Sequence, residues 1–227
     1  MIPVRTFASH SAVWTSVSPL MEPFVRWING HLISYSHPVE PSGPGRSGNH
    51  ALIAELAFDR SAHGVTGTSG PMIEREATVL RATSALPGGP SPDLLLNSLE
   101  QLEVREISAN IDKFVRNERG PARFRPVIPG CGVVDAATAD IMCGKSLVEI
   151  KAVSRGFRGL DVRQALCYAA MLDASGVRAE SIVLLNPRAG KYVKLPLGFV
   201  SANVAGVAAA ELLVAIEDWM SGLQVSA

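Results

Sequence analysis

Gly144-Lys145 lies between two runs of strand-forming residues and constrains the fold of this chain more than any other dipeptide in it. Glycine at the first central position suits a type II′ turn, which matches the twist of two antiparallel strands. Centred on that turn, residues 137–153 are predicted to form a hairpin. In it Cys143 faces Ser146, Met142 faces Leu147, Ile141 faces Val148 and Asp140 faces Glu149. Further out, Ala139 meets Ile150 and Thr138 meets Lys151. Side chains alternate between the two faces of a strand. One face therefore holds Ala139, Ile141, Val148, Ile150 and Ala152, and the other holds Thr138, Asp140, Glu149 and Lys151.

Two carboxylates directly opposed across a strand pair repel each other. Protonation of one, solvation of both, or a shared cation relieves the repulsion. Two carboxylates with a backbone carbonyl and waters form a hard oxygen set suited to Mg²⁺ or Mn²⁺. Lys151, on the same face as Glu149, is placed to orient or deprotonate a water or to neutralise a phosphate. The spacing alone is weak, because E-x-K is common on charged strands. Its placement across a well-formed turn, opposite an apolar face, strengthens it.

A helix is expected over residues 162–174, with Asp161 as N-cap and Gln164 closing a capping-box-like pair. Gln164 and Tyr168 are four apart and share a helix face. By themselves they are a cap and a packing residue.

An Asp, then E-I-K on a strand, then Q-x3-Y on the next helix resembles the RecB-like branch of the PD-(D/E)XK nuclease superfamily. The matching residues are Asp140, Glu149, Lys151, Gln164 and Tyr168, and the resemblance covers about residues 93–195. It implies a restriction-endonuclease-like α/β core, a mixed central sheet flanked by helices. It also implies Mg²⁺- or Mn²⁺-dependent cleavage of phosphodiesters, of DNA more often than RNA, leaving 5′-phosphate and 3′-hydroxyl ends. The metal would be held by Asp140, Glu149 and the Ile150 carbonyl, with Gln164 and Tyr168 orienting Lys151 and contacting the substrate backbone. The family often adds a Glu from the preceding helix, for which Glu103 and Glu106 are the candidates. The chain departs from the pattern at Ala139, where a proline is common. Asp135 competes with Asp140 for the first acid, but its parity puts it on the opposite face. Small nucleases of this kind often serve bacterial restriction or antiphage defence, an analogy from the family. The alternative is a catalytically silent nuclease-fold subunit that binds nucleic acid or a protein partner in a defence or repair complex.

Around this core, Leu95, Leu99, Leu102, Ile107, Ile111 and Phe114 recur at helical spacing, predicting a helix over 93–117 capped by Ser91 or Asp93. A strand pair over 181–195 and a helix over 206–221 follow, an α/β order. Residues 93–227 form the expected nuclease-like domain. Residues 1–86 are expected to be a β-rich region, with strands near 31–36, 51–57 and 72–81 and a hairpin loop over 59–70.

Net charge is zero, which argues mildly against bulk electrostatic binding of nucleic acid. Between Lys113 and Arg163, however, ten basic residues face five acidic ones, a local balance that suits phosphate contact. A homodimer or a partner protein of a defence complex is the expected source of targeting. Three cysteines cannot complete a four-cysteine cluster and fit a reducing, cytoplasmic setting better than disulfides. The five histidines, all before residue 64, show no metal-ligand spacing. Residues 199–220 are apolar but carry Asn203, Glu211 and Asp218, so they are expected to form a packed helix and not a membrane span. Arg188, in the loop between the last two strands, is a weak candidate for substrate contact.

Overall fold

A computed structural model describes residues 1–41, 49–66 and 96–222. Three short helices, α1 (Val4–Ser9), α2 (Ser11–Val17) and α3 (Met21–Gly30), lead to strand β1 (Ile33–Ser34) and helix α4 (His50–Thr66). Helix α5 (Ser98–Asn117) precedes β2 (Ala122–Phe124), β3 (Val127–Ile128), β4 (Ala137–Thr138), β5 (Ile141–Cys143) and β6 (Ser146–Ile150). Then come α6 (Gly159–Ala174), β7 (Ser181–Asn186), β8 (Lys191–Pro196), α7 (Leu197–Val204) and α8 (Ala209–Gly222).

The central sheet is mixed and six-stranded, in the order β1-β8-β7-β6-β5-β2. Among the described strands only β6 and β7 pair in parallel, joined by the α6 crossover. Parity assigns the two faces. Leu147, Ile182 and Leu184 pack with α6, the N-terminal helices, α7 and α8. Val148, Val183, Leu185, Ile141 and Cys143 pack with α4 and α5. The result is a helix–sheet–helix sandwich, the coarse α/β architecture expected.

Among its described residues the N-terminal region is mostly helical and not β-rich. Residues 51–57 lie within α4, and the chain from 59 to 66 continues that helix instead of forming a hairpin loop. The run from Ala51 to Phe58 is short and apolar, so periodicity alone does not separate a strand from a buried helix. Ala51, Ala54 and Ala57 tip it to helix, since alanine is the best helix former. Of the expected strands, 31–36 survives as β1, an edge of the main sheet. The strand at 72–81 and the caps Ser91 and Asp93 lie outside the described residues. Helices α1 to α3 share one core with α6, so residues 1–41 are built into the same body as the later chain.

Asn97 caps α5, accepting from Leu99 and Glu100 while Glu100 reaches back to its N–H. The apolar stretch 199–220 breaks into α7 and α8, bent by 71°. Among the described residues no single helix is long and apolar enough to cross a membrane.

Candidate active site

The hairpin forms in the expected register as far as Ile141 opposite Val148. Gly144 has φ +55. Among the described residues the only non-glycine with positive φ is Arg125, so the positive φ falls on the first central residue of the turn alone, as in type II′.

Beyond Ile141 the register stops. The chain bends at Asp140, and β4 leaves to pair with β3 in a separate two-stranded sheet. Thr138 therefore pairs with Val127 and not with Lys151. Ala139 changes face, packing with Met142 and Leu147 and not with Ile141. Asp140 does not form the expected ladder pair with Glu149. Its Oδ2 instead accepts the Ile150 backbone N–H at 2.6 Å, taking the place of the lost main-chain partner.

Glu149, on the Leu147 face, points toward α6 and is 2 % exposed. Its Oε1 accepts from Lys151 Nζ at 2.6 Å. Lys151 also reaches Gln164 Oε1 at 3.4 Å. Gln164 Nε2 donates to the Tyr168 hydroxyl at 3.1 Å, and that hydroxyl donates to the Thr138 carbonyl at 3.4 Å. A relay thus runs from Glu149 through Lys151, Gln164 and Tyr168 to the backbone of β4.

Gln164 is free for this because it does not cap α6. The helix starts earlier, at Gly159 after the N-cap Arg158. Asp161 lies in the first turn and is not the N-cap. It accepts the Arg158 N–H at 2.9 Å and binds the Arg155 guanidinium through both oxygens. The linking loop is pinned by Asn29, which donates to the Phe157 carbonyl and accepts its N–H, both at 2.9 Å.

Asp140 also lines an open cleft of about 230 Å³ with Glu55 and Phe58 of α4, Arg125, Ile150 and Ala152. The carboxyls here resist ionisation. Burial pushes Glu149 up to about 8, reinforced by Asp140 and opposed by Lys151. Asp140 keeps some contact with water in the cleft, yet burial raises its carboxyl too, against the Ile150 N–H, Lys151 and Arg125. Glu55, at the rim, is raised by surrounding chain and then by Asp140. Burial draws the Lys151 ammonium down, but Glu149, Asp140 and Asp161 outweigh it and leave it above its ordinary range. Lys151 is thus a stable cation, while its partner Glu149 holds a proton against it. Burial decides that balance, with Asp140 second, and Glu149 retains its proton near neutral pH. Burial lifts the Tyr168 phenol to about 12, leaving it a neutral hydrogen-bonding group.

The candidate acids of α5 stand elsewhere. Glu103 is buried in an ion pair with Arg188, whose Nε also donates to the Ala152 carbonyl. That pair removes Arg188 from the surface as well. Glu106 is on the exposed face of α5. The helix acid beside Asp140 is Glu55, which the sequence reading missed. The available signal was Glu55, Asp59 and His63 at spacing four, one polar stripe on a helix. The basic zone converges only in part: Lys151 and Arg125 lie at the site, but others do not. Lys145 pairs with Glu180 at the turn, the opposite end of β6 from Glu149. Arg155 is neutralised by Asp161.

Among the described residues no three His, Cys, Asp or Glu side chains are grouped so as to hold a metal ion. The donor chemistry nevertheless fits a hard cation: the Asp140 and Glu149 carboxylates and the intervening Ile150 carbonyl are all hard oxygen donors. No family model, curated protein or solved structure matches the chain.

Proposed function

We propose that the chain is a divalent-cation-dependent nuclease of the PD-(D/E)XK type. The observation that carries this reading is the gathering of Asp140, Glu149, Lys151, Gln164 and Tyr168 at one end of β6, joined by hydrogen bonds and next to an open cleft. Asp140, Glu149 and the Ile150 carbonyl would hold Mg²⁺ or Mn²⁺. When bound, the ion supplies Lewis-acid stabilisation of charge developing on a phosphoryl group.

The chain's own residues divide the remaining work. Lys151 keeps its proton, so it acts as a donor and a positive charge, orienting a water or neutralising a phosphate oxygen. Gln164 holds the ammonium from the helix side, and Tyr168 fixes Gln164. Nucleic acid is the substrate class, DNA ahead of RNA by family resemblance.

One observation favours a second reading, a silent nuclease-fold subunit: Lys151 already satisfies Glu149 within the protein. Incubation with plasmid, linear duplex and single strands, with Mg²⁺, Mn²⁺ or EDTA, separates the two. The nuclease reading expects metal-dependent cleavage that Lys151→Ala slows by about a hundredfold or more while binding persists. Binding without cleavage under every condition would leave only the subunit.

A further inference from the structure

Arg125 is held in a left-handed backbone conformation, φ +49, directly before Pro126. Side chains with a Cβ avoid that region, and a following proline restricts the backbone further. The conformation coincides with a break in two neighbouring strands. Strand β2 pairs with β5 as far as Phe124 opposite Ile141, and β3 pairs with β4 from Val127 opposite Thr138. Between these points the Arg125 N–H donates to the Asp140 carbonyl at 2.9 Å, and the Ala139 N–H donates to the Pro126 carbonyl at 3.1 Å. The bend at Asp140 and the left-handed turn at Arg125 therefore face each other. Together they bring one carboxylate and one guanidinium to the same cleft.

The guanidinium is also held in place. Its Nη1 donates to Asp59 Oδ1 at 2.9 Å, and its Cζ lies 5.1 Å from the Phe58 ring centroid, both residues belonging to α4. Its Nε and Nη2 make no hydrogen bond to a described residue, and the side chain is 43 % exposed. Among the described residues lining the cleft, Arg125 is the only cation, beside Glu55 and Asp140. An acid-lined cleft repels a phosphodiester unless positive charge is fixed within it. A strained, anchored arginine with unused donors supplies such a charge in a geometry suited to phosphate oxygens.

We propose that Arg125 is the phosphate contact of this cleft, binding a non-bridging oxygen of the nucleic-acid backbone next to Asp140 through its free guanidinium edge. This rests on the nuclease reading and adds the residue that holds the substrate.

The test measures binding of a labelled oligonucleotide by fluorescence anisotropy in a Lys151→Ala background, over a salt series, and KM and kcat for cleavage in the wild-type background. Arg125→Ala should weaken binding about tenfold or more. It should also lower the slope of log K against log salt by about one and act on KM more than on kcat. Arg125→Lys should restore part of the loss. Asp59→Asn breaks the internal ion pair but keeps the guanidinium, so binding should stay within a few-fold of the parent. Arg125→Gly should melt above Arg125→Ala, because glycine adopts positive φ freely, yet bind as poorly. Equal losses for Asp59→Asn and Arg125→Ala would reduce Arg125 to a structural ion pair and overturn the proposal. Wild-type cleavage with KM, binding and salt slope unchanged in Arg125→Ala overturns it too, while the nuclease reading stands. A wild type that neither binds nor cuts removes the nuclease reading itself.

Discussion

The Asp140 carboxylate accepts the backbone N–H of Ile150 at 2.6 Å, where a ladder bond between the two hairpin strands would otherwise lie. This one bond lets the strand bend away from the main sheet while the Ile150 N–H stays satisfied. It also fixes an acid beside the backbone that joins Glu149 to Lys151. Structure and chemistry at Asp140 should therefore separate by substitution. Asp140→Asn retains an acceptor and should fold with near-parental stability, yet lose cation-dependent cleavage. Asp140→Ala leaves a buried N–H without its partner and should cost about 1–3 kcal/mol in urea denaturation. Equal stability of the two variants would mean that the Ile150 bond contributes nothing to the fold.

Glu149 makes stability depend on pH. Its carboxyl moves from an ordinary 4.5 to about 8 in the folded state, chiefly through burial and then Asp140. The folded chain thus binds more protons than the unfolded chain between those values, and stability falls as pH rises through the window. The contribution is complete below about 4.5 and gone above about 8. Urea midpoints in EDTA should decline across this range, and Glu149→Gln should flatten the decline. Mg²⁺, binding the ionised folded site, should raise the midpoints most on the alkaline side. A midpoint curve unaffected by both the substitution and the cation would exclude Glu149 as its source.

The relay predicts a graded series on α6. Gln164 touches Lys151 directly, whereas Tyr168 acts through Gln164 and the Thr138 carbonyl. Gln164→Ala should slow cleavage by roughly ten- to a hundredfold, the usual cost of removing an outer-shell support. Tyr168→Phe, which keeps the ring, should cost less. Neither should weaken nucleic-acid binding as Arg125→Ala does. Single-turnover rates beside anisotropy measurements check the order, and a Tyr168→Phe loss exceeding that of Gln164→Ala would contradict it.

How far the sequence carried depends on the range of the interactions. The β5–β6 turn is written in Gly144 itself, and strand alternation places Glu149 and Lys151 on the α6 face with Gln164 and Tyr168. The bend at Asp140 is not local. It depends on Arg125 and Pro126, which pair with that stretch from another strand, so a two-strand register cannot show it. Glu55 reaches the cleft only because α4 packs on α5 and the sheet, a tertiary relation. The apolar run 51–57 was ambiguous for a different reason: short buried strands and buried helices have the same composition. Asp161 was misplaced because any acid near a helix start resembles an N-cap, whereas here it lies one turn inside and binds Arg155.

Glu103 and Arg188 provide a final discrimination, between a structural acid and a metal ligand. Helical spacing places Glu103 where the nuclease resemblance would put an extra acid, but the side chain is buried against Arg188, both nearly inaccessible to water. Removing one partner strands the other charge. Glu103→Leu alone should therefore cost about 3–5 kcal/mol. Replacing both with leucine removes the stranded charge and should recover much of that loss, since buried ion pairs often contribute little net stability. Arg188 also donates to the Ala152 carbonyl, so recovery should stop short of the parent. The chemistry follows the same logic. If Glu103 is a structural partner of Arg188 and not a ligand, the folded double variant keeps its Mg²⁺ response and its cleavage rate within a few-fold of the parent. If it ligates the ion, the double variant folds but loses both. Urea denaturation of the single and double variants, with Mg²⁺ titrations of cleavage for the double, distinguishes the two cases. The buried pair favours a double variant that still cuts.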